Sequence, residues 1–169
     1  MTHAASAIMV APTSVPLVNL SMIEEKLAER LIGRIMKDEE MPRELAERIL
    51  DQALGYLKLA AEQPGGHFSP SPLVDIGWHT FILYTREYAM FCKKITDGRF
   101  IHHEPTDDDS VPNLSQGPYK TAEAMKKAGI VVDEPLWACM HSGDCSGDSG
   151  PGCSNCNDGQ GCKCGSCNY

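Results

Sequence analysis

The stretch PRELAERILDQALGYLKLAAEQPGG, residues 42–66, has the clearest helical pattern in the chain. Its apolar residues recur at helical spacing and fall on one face, which carries Leu45, Ile49, Leu50, Leu54 and Leu57. Pro42 suits a helix start, because proline lacks an amide proton and the first turn needs none. Gln63-Pro64-Gly65-Gly66 then stops the pattern. The stretch predicts a long helix with an apolar face.

A helix is expected on each side of this stretch. Residues 22–37 repeat apolar side chains at helical spacing, and Ser21 with Glu24 matches a capping box. Ser71 followed by Pro72 matches the N-cap and first position of a third helix, which should run to about Thr96. An apolar seam is expected along that third helix, formed by Phe81, Tyr84, Tyr88, Phe91 and Ile95.

A shorter fourth helix is expected around residues 119–128, so the sequence predicts an all-α domain of about four helices over residues 20–137.

Residues 1–19 contain two prolines and no charged start, so we interpret them as a flexible lead-in rather than a secretory signal. No apolar run approaches the roughly 18 residues of a membrane-spanning helix. The expected compartment is the cytoplasm, where cysteines normally stay reduced.

The charge balance limits the kinds of partner. The net charge is −8 and the pI is about 5.2. Nonspecific binding to nucleic acid or to an anionic membrane needs clustered Lys and Arg on one surface, so the sequence predicts neither partner. The partner classes that this charge balance leaves open are another protein and a modifying enzyme.

The C-terminal segment, residues 138–169, is rich in cysteine and has almost no residues that could form a core. Seven of the chain's eight cysteines lie there, and no Leu, Ile, Val or Phe follows the first of them. Ordering a backbone costs roughly 1–2 kcal/mol per residue, so this segment must be organised by its sulfurs or not at all. We call the seven residues the tail cysteines: Cys139, Cys145, Cys153, Cys156, Cys162, Cys164 and Cys167.

Their spacing predicts a metal-binding tail. Two C-x-x-C pairs suit a closed four-sulfur zinc site, formed by Cys153, Cys156, Cys164 and Cys167. A second site or an extended thiolate cluster could use Cys139, His141, Cys145 and Cys162. Zn²⁺ is favoured, and Cu⁺ is the alternative because it also prefers soft sulfur ligands. The cysteine spacing fits both metal storage and a zinc knuckle that binds a protein partner.

Other functions remain open for the same tail. The chain could be the precursor of a ribosomally made, post-translationally modified peptide, with the helical body as leader and the Cys-rich tail as substrate. Disulfide bonds are a third interpretation, although a reducing compartment and an odd number of tail cysteines oppose it. Neighbouring genes for modifying enzymes would favour the precursor, whereas genes for metal homeostasis would favour metal binding.

A second group of possible ligands lies in the helical body. Asp75 and His79 are four residues apart on the third helix, and His102 with His103 follows that helix. Together they could bind a metal. Alternatively, the negative charge of Asp75 could only interact with the positive end of the helix dipole, and its carboxylate could hydrogen-bond to His79. The structural interpretation is favoured, because a metal site requires the two histidines to fold back onto the helix.

Evidence for an enzyme is weak in this sequence. No P-loop, dinucleotide, G-x-S-x-G or H-E-x-x-H pattern occurs. Cys92, on the third helix, is expected to be a small buried hydrophobe rather than a nucleophile. We therefore name no catalytic residue, and an enzyme is the less favoured interpretation. If there is one, it would depend on a metal held by the Asp75 group.

The segment LVDIGWHTFILYTREYAMFCKKITDGRFIHHEP, residues 73–105, resembles the glycine-rich domain-containing protein-like family. That family has the form V-D-x-x-W-H, then Y-x-x-F-C, then G-x-F-I-H-H-x-P. The matching residues here are Asp75, Trp78, His79, Tyr88, Cys92, Gly98, His102, His103 and Pro105. The resemblance implies an all-helical domain in a cytosolic protein. Phe81 stands where many relatives have a further histidine, and the tail differs in composition.

Overall fold

The computed structural model describes residues 15–103 and 117–138, and every regular element within these ranges is helical. A 3₁₀ helix at Asn19–Met22 leads into the first of six α-helices. The helices are α1 (Glu25–Asp38), α2 (Arg43–Glu62), α3 (Pro72–Leu83), α4 (Thr85–Ile95), α5 (Gly117–Lys127) and α6 (Glu134–Trp137). The predicted all-α class is confirmed. Within the described ranges no helix has the length and apolarity needed to cross a membrane.

Helix α2 lies at the centre of the domain. It contacts α1, α3, α4, α5 and the 3₁₀ helix, and 14 of its 20 residues are buried. The apolar face predicted from Leu45 to Leu57 is fully inside the core. The opposite side is buried as well, so α2 is enclosed rather than merely amphipathic. Helices that are buried all round must also place their polar side chains in the interior.

Three polar side chains of α2 hold the two ends of the described chain. The Asp51 carboxylate accepts hydrogen bonds from the backbone amides of Asn19 and Leu20, at 2.7 and 3.1 Å. Burial raises the pKa of Asp51, whereas these hydrogen bonds act to lower it. The Gln52 side chain accepts from the Trp137 indole at 2.9 Å and donates to the Val131 carbonyl at 3.1 Å.

Arg48 completes this polar face of α2. Its guanidinium donates twice to the Asp133 carboxylate, at 2.6 and 3.1 Å, and both side chains are almost fully buried. A buried ion pair needs such two-fold geometry, because both groups lose their hydration. Among the described residues, no buried polar side-chain atom lacks a hydrogen-bond partner.

The start of α3 matches the prediction, but the start of α1 does not. Ser71 caps α3 by accepting the Val74 amide at 3.2 Å, with Pro72 in the first position. Ser21 instead lies within the 3₁₀ helix and donates to the Val18 carbonyl at 2.7 Å. The capping box was therefore wrong, because α1 begins after Glu24 and has no side-chain cap.

The helix predicted from Ser71 to about Thr96 is divided in two at Tyr84. The ψ angle of Tyr84 is 62°, outside the helical range, so α3 ends and α4 starts in a new direction. In a straight helix Phe81 and Phe91 would be about 15 Å apart along the axis. Their ring centroids are 5.2 Å apart, because α4 folds back beside α3. The apolar seam is core, as expected, but it is shared by two helices.

Gly77 allows α3 to lie against α2. A Cβ atom on Gly77 would lie 2.8 Å from the Cβ of Ala53 and 3.0 Å from the carbonyl oxygen of Ile49. Both are atoms at or next to the backbone of α2, so neither helix can yield by a side-chain rotation. The helix carrying Asp75 and His79 is therefore held at a fixed distance from the core.

We expect Gly77→Ala to destabilise the domain by about 1–3 kcal/mol, because the added methyl group overpacks the contact between α2 and α3. The matched control is Gly33→Ala on α1, where an added Cβ has no neighbour within 4 Å. That change should stabilise the protein by about 0.5–1 kcal/mol through helix propensity. Urea unfolding followed by tryptophan fluorescence measures both, and a stabilised Gly77→Ala protein would contradict the tight contact.

Candidate metal centre

Two of the candidate ligands are placed by helix geometry alone. Asp75 and His79 lie one turn apart on the same face of α3, and His79 Nε2 is 3.2 Å from Asp75 Oδ2. The Ser71 cap and Pro72 fix where the helix begins, so they also fix which face these residues share. The predicted position of the two side chains on one helix face is confirmed, and their role as metal ligands stays a prediction.

A tight turn after α4 brings the chain back toward α3. Asp97 and Gly98 both have positive φ angles, 53° and 102°; aspartate tolerates the first, and glycine adopts the second without strain. The Thr96 hydroxyl lies 2.7 Å from the Cys92 carbonyl and 2.5 Å from the Arg99 carbonyl, which closes the turn. Arg99 also donates to the Ala61 carbonyl at the end of α2, at 3.1 Å.

The returning segment is held by the hydroxyl group of Tyr88. The Trp78 indole donates to the Tyr88 oxygen at 2.9 Å, and the Tyr88 hydroxyl donates to the Ile101 carbonyl at 2.7 Å. Burial raises the pKa of Tyr88, so the hydroxyl keeps the proton that it donates. The imidazole of His103 then lies with its centroid 4.4 Å from the Trp78 ring. One side chain of α4 thus fixes the position of a residue outside the helices.

Three side chains converge at this place. His103 Nε2 is 3.0 Å from Asp75 Oδ1 and 2.9 Å from His79 Nε2, and His79 Nε2 is 3.2 Å from the other carboxylate oxygen, Asp75 Oδ2. Zinc binds imidazole nitrogen and carboxylate oxygen at about 2.0–2.2 Å, so two ligand atoms of a tetrahedral site lie about 3.3–3.6 Å apart. The three contacts are shorter than this, and small outward movements of the side chains would give the spacing of a metal-bound set.

Hydrogen bonds to an ionised Asp75 do not satisfy all three contacts. Each Nε2 has a single in-plane position, occupied by a proton or a lone pair, and an ionised carboxylate only accepts. With both nitrogens protonated, both N–H groups can meet Asp75, but the contact between His79 and His103 is not a hydrogen bond. With one nitrogen unprotonated, its lone pair lies close to a lone pair of Asp75. A cation bound by all three side chains removes this conflict.

Solvent reaches the group from one side. The side chains of His103, Asp75 and His79 are 20%, 31% and 60% exposed, respectively. Asp75 and His79 border a surface cleft of about 260 Å³ between α3 and the end of α1. Three protein ligands beside an accessible space are typical of metal sites that keep a position for water or substrate.

The remaining predicted residues lie elsewhere or outside the described ranges. His102 is exposed, is not part of the three-residue group, and its ring lies 4.8 Å from Phe100. Cys92 is completely buried and has a free thiol. The tail cysteines and His141 lie outside the described residues, so the tail metal site stays a prediction.

Sequence reasoning missed the supports of this site. Tyr88 was assigned to an apolar seam, and its two hydroxyl contacts were not expected. Trp78 was named only as part of the residue motif, yet its indole N–H donates to Tyr88 and its ring contacts His103. The signal available was the presence of two aromatic residues with polar atoms among apolar neighbours, since buried Trp and Tyr usually need partners.

The comparisons with known proteins identify a family. The sequence model of the UCP032817-like family matches residues 19–124, well over half of the 169-residue chain. The chain belongs to the UCP032817-like family. No curated protein and no solved structure matched the chain significantly. The part shared with the UCP032817-like family includes α1 to α4 and all three residues of the group, and it ends before the tail.

We expect Tyr88→Phe to lower the free energy of unfolding by about 1–3 kcal/mol, because it leaves the buried Trp78 donor and the Ile101 carbonyl without their partner. The control is Tyr56→Phe. Tyr56 is also buried and contacts the Trp78 ring, but its hydroxyl makes one hydrogen bond, to the Phe68 carbonyl at 3.2 Å.

The control substitution Tyr56→Phe should lower the free energy of unfolding by about 0.5–1.5 kcal/mol, which is typical of the loss of one hydrogen bond. In addition, only Tyr88→Phe should shift the NMR signals of the His103 imidazole. Equal stability losses with an unmoved His103 signal would show that Tyr88 does not hold this segment.

Proposed function

We propose that the chain is a metal-binding protein whose helical body holds one divalent cation through Asp75, His79 and His103. The observation that carries the proposal is the set of three contacts between 2.9 and 3.2 Å among these side chains, which hydrogen bonds to an ionised Asp75 do not all satisfy. The supporting contacts are independent of these three. The α3 cap positions two ligands, and the Tyr88 hydroxyl positions the third.

Zn²⁺ is the proposed ion for this site. Imidazole and carboxylate ligands suit Zn²⁺, and a set of two histidines and one carboxylate also suits Fe²⁺. Cu⁺ prefers thiolates, so it is not expected at a site without sulfur. Zn²⁺ is therefore favoured for both the body and the tail, and the alternative ion differs, Fe²⁺ for the body and Cu⁺ for the tail.

Zinc titration of the full-length chain tests the body site once the tail is silenced. The tail-serine chain, with all seven tail cysteines changed to serine, should bind about one Zn²⁺ in competition with a chromogenic chelator. His103→Ala in this background should weaken zinc binding at least about tenfold, because even outer-shell changes typically cost 10–100-fold. The zinc-dependent gain in thermal stability should fall with it.

His102→Ala is the matched control, since it removes the neighbouring imidazole, which lies outside the group. It should leave the zinc affinity unchanged. Equal affinities of the two histidine variants, or no zinc binding by the tail-serine chain, would refute the body site.

We also propose the tail as a separate thiolate site, on the basis of its two C-x-x-C pairs alone. Zn²⁺ is favoured and Cu⁺ is the alternative, with a closed site at Cys153, Cys156, Cys164 and Cys167. A precursor peptide with an enzymatically modified tail is the competing proposal. We propose further that the chain is related to the glycine-rich domain-containing protein-like family through residues 73–105, and that it lies in the cytoplasm.

Intact mass measurement of protein from its own source distinguishes the two tail proposals. For a metal-binding tail, the native mass should exceed the sequence mass, and the excess should vanish on acidification because protons displace metal from thiolates. All seven tail cysteines should then be alkylated. A denatured mass that still differs from the sequence mass would instead support enzymatic modification or disulfide bonds.

A further inference from the structure

We infer that the proposed metal in the body keeps a coordination position open to the cleft, and that the position takes a small oxygen-donor ligand that also bears a cationic group. This inference rests on the proposed function of the Asp75, His79 and His103 group. Its own basis is the cleft beside that group, which the three metal ligands do not fill.

The number of protein ligands leaves room at the metal. Zinc has at least four ligands, and the group supplies three. His79 and Asp75, the two more exposed members, border the cleft, whereas His103 is packed against Trp78. The fourth position therefore lies on the accessible side. One carboxylate leaves a divalent cation with a net positive charge, which favours an anionic oxygen donor such as a hydroxamate or a carboxylate.

The walls of the cleft define the rest of the ligand. One wall belongs to α3 and has apolar residues, Pro72, Ile76 and Leu83. The other wall is the end of α1, where Asp38 and Glu39 contribute two carboxylates. Arg34 already pairs with Asp38. Within the described residues nothing pairs with the Glu39 carboxylate, so it is available to a positively charged group.

These features combine into one class of ligand. The metal binds an oxygen donor, Ile76 and Leu83 contact a short apolar spacer, and Glu39 attracts an ammonium group at the opposite side. A volume of about 260 Å³ suits a molecule of few heavy atoms. Small amino acids and their derivatives have this combination of groups.

Co²⁺ provides a readout that does not depend on an activity. The tail-serine chain loaded with Co²⁺ should show visible absorption that changes when an exogenous ligand enters the metal coordination sphere. The probes are acetohydroxamate, which has only the oxygen donors, and glycine hydroxamate, which adds an ammonium group. We expect both to change the spectrum and glycine hydroxamate to bind about two- to fivefold more tightly, as an exposed ion pair allows.

Glu39→Gln should abolish the preference for glycine hydroxamate. Glu40→Gln is the matched control, because Glu40 is exposed and adjacent but does not line the cleft. The preference should persist in that variant. Co²⁺ binding without a response to either hydroxamate, or with equal affinity for both, would overturn the inference and leave the metal site intact. Failure of Co²⁺ to bind would overturn the proposed function along with it.

Discussion

The enclosure of α2 is the constraint on which the rest of the fold depends. A helix surrounded by other helices must bury its own polar groups, and each buried polar group without a partner costs about 1–3 kcal/mol. Arg48, Asp51 and Gln52 lie on one side of α2, and their partners come from the segment before α1 and from the segment around α6. The need to satisfy these three side chains ties both ends of the described chain to its centre.

The positions of the side chains in the candidate metal centre also depend on α2. Gly77 sets α3 directly on the backbone of α2, and Arg99 attaches the returning segment to the last turn of α2. The candidate ligands on α3 and the candidate ligand after α4 are therefore both held in place by the same rigid helix, α2. Ligand atoms that must meet within a few tenths of an ångström need such a common frame.

The residue pattern between Asp75 and His103 has a physical explanation in this arrangement. Asp75, His79 and His103 form the group itself, while Trp78 and Tyr88 connect its two halves. Gly98 adopts the positive φ angle that reverses the chain between them. These residues thus form one compact unit within the region that matches the UCP032817-like family.

The amino-acid sequence by itself determined the helical class, the start of α3 and the pairing of Asp75 with His79, because periodicity, capping and i,i+4 spacing act within a few residues. Only the tertiary structure decided the break at Tyr84. In a continuous helix Trp78 and Tyr88 would be about 15 Å apart along the axis, whereas folding back lets them form a 2.9 Å hydrogen bond.

Tertiary structure also decided which histidine joins the group. His102 and His103 are equivalent as residue types, and spacing gave no reason to prefer one. The choice follows from the Tyr88 bond to Ile101, which sets the path of the backbone and leaves His103 facing Trp78 and Asp75. Contacts between residues far apart in the chain depend on how helices pack, and packing is the property that local sequence patterns do not specify.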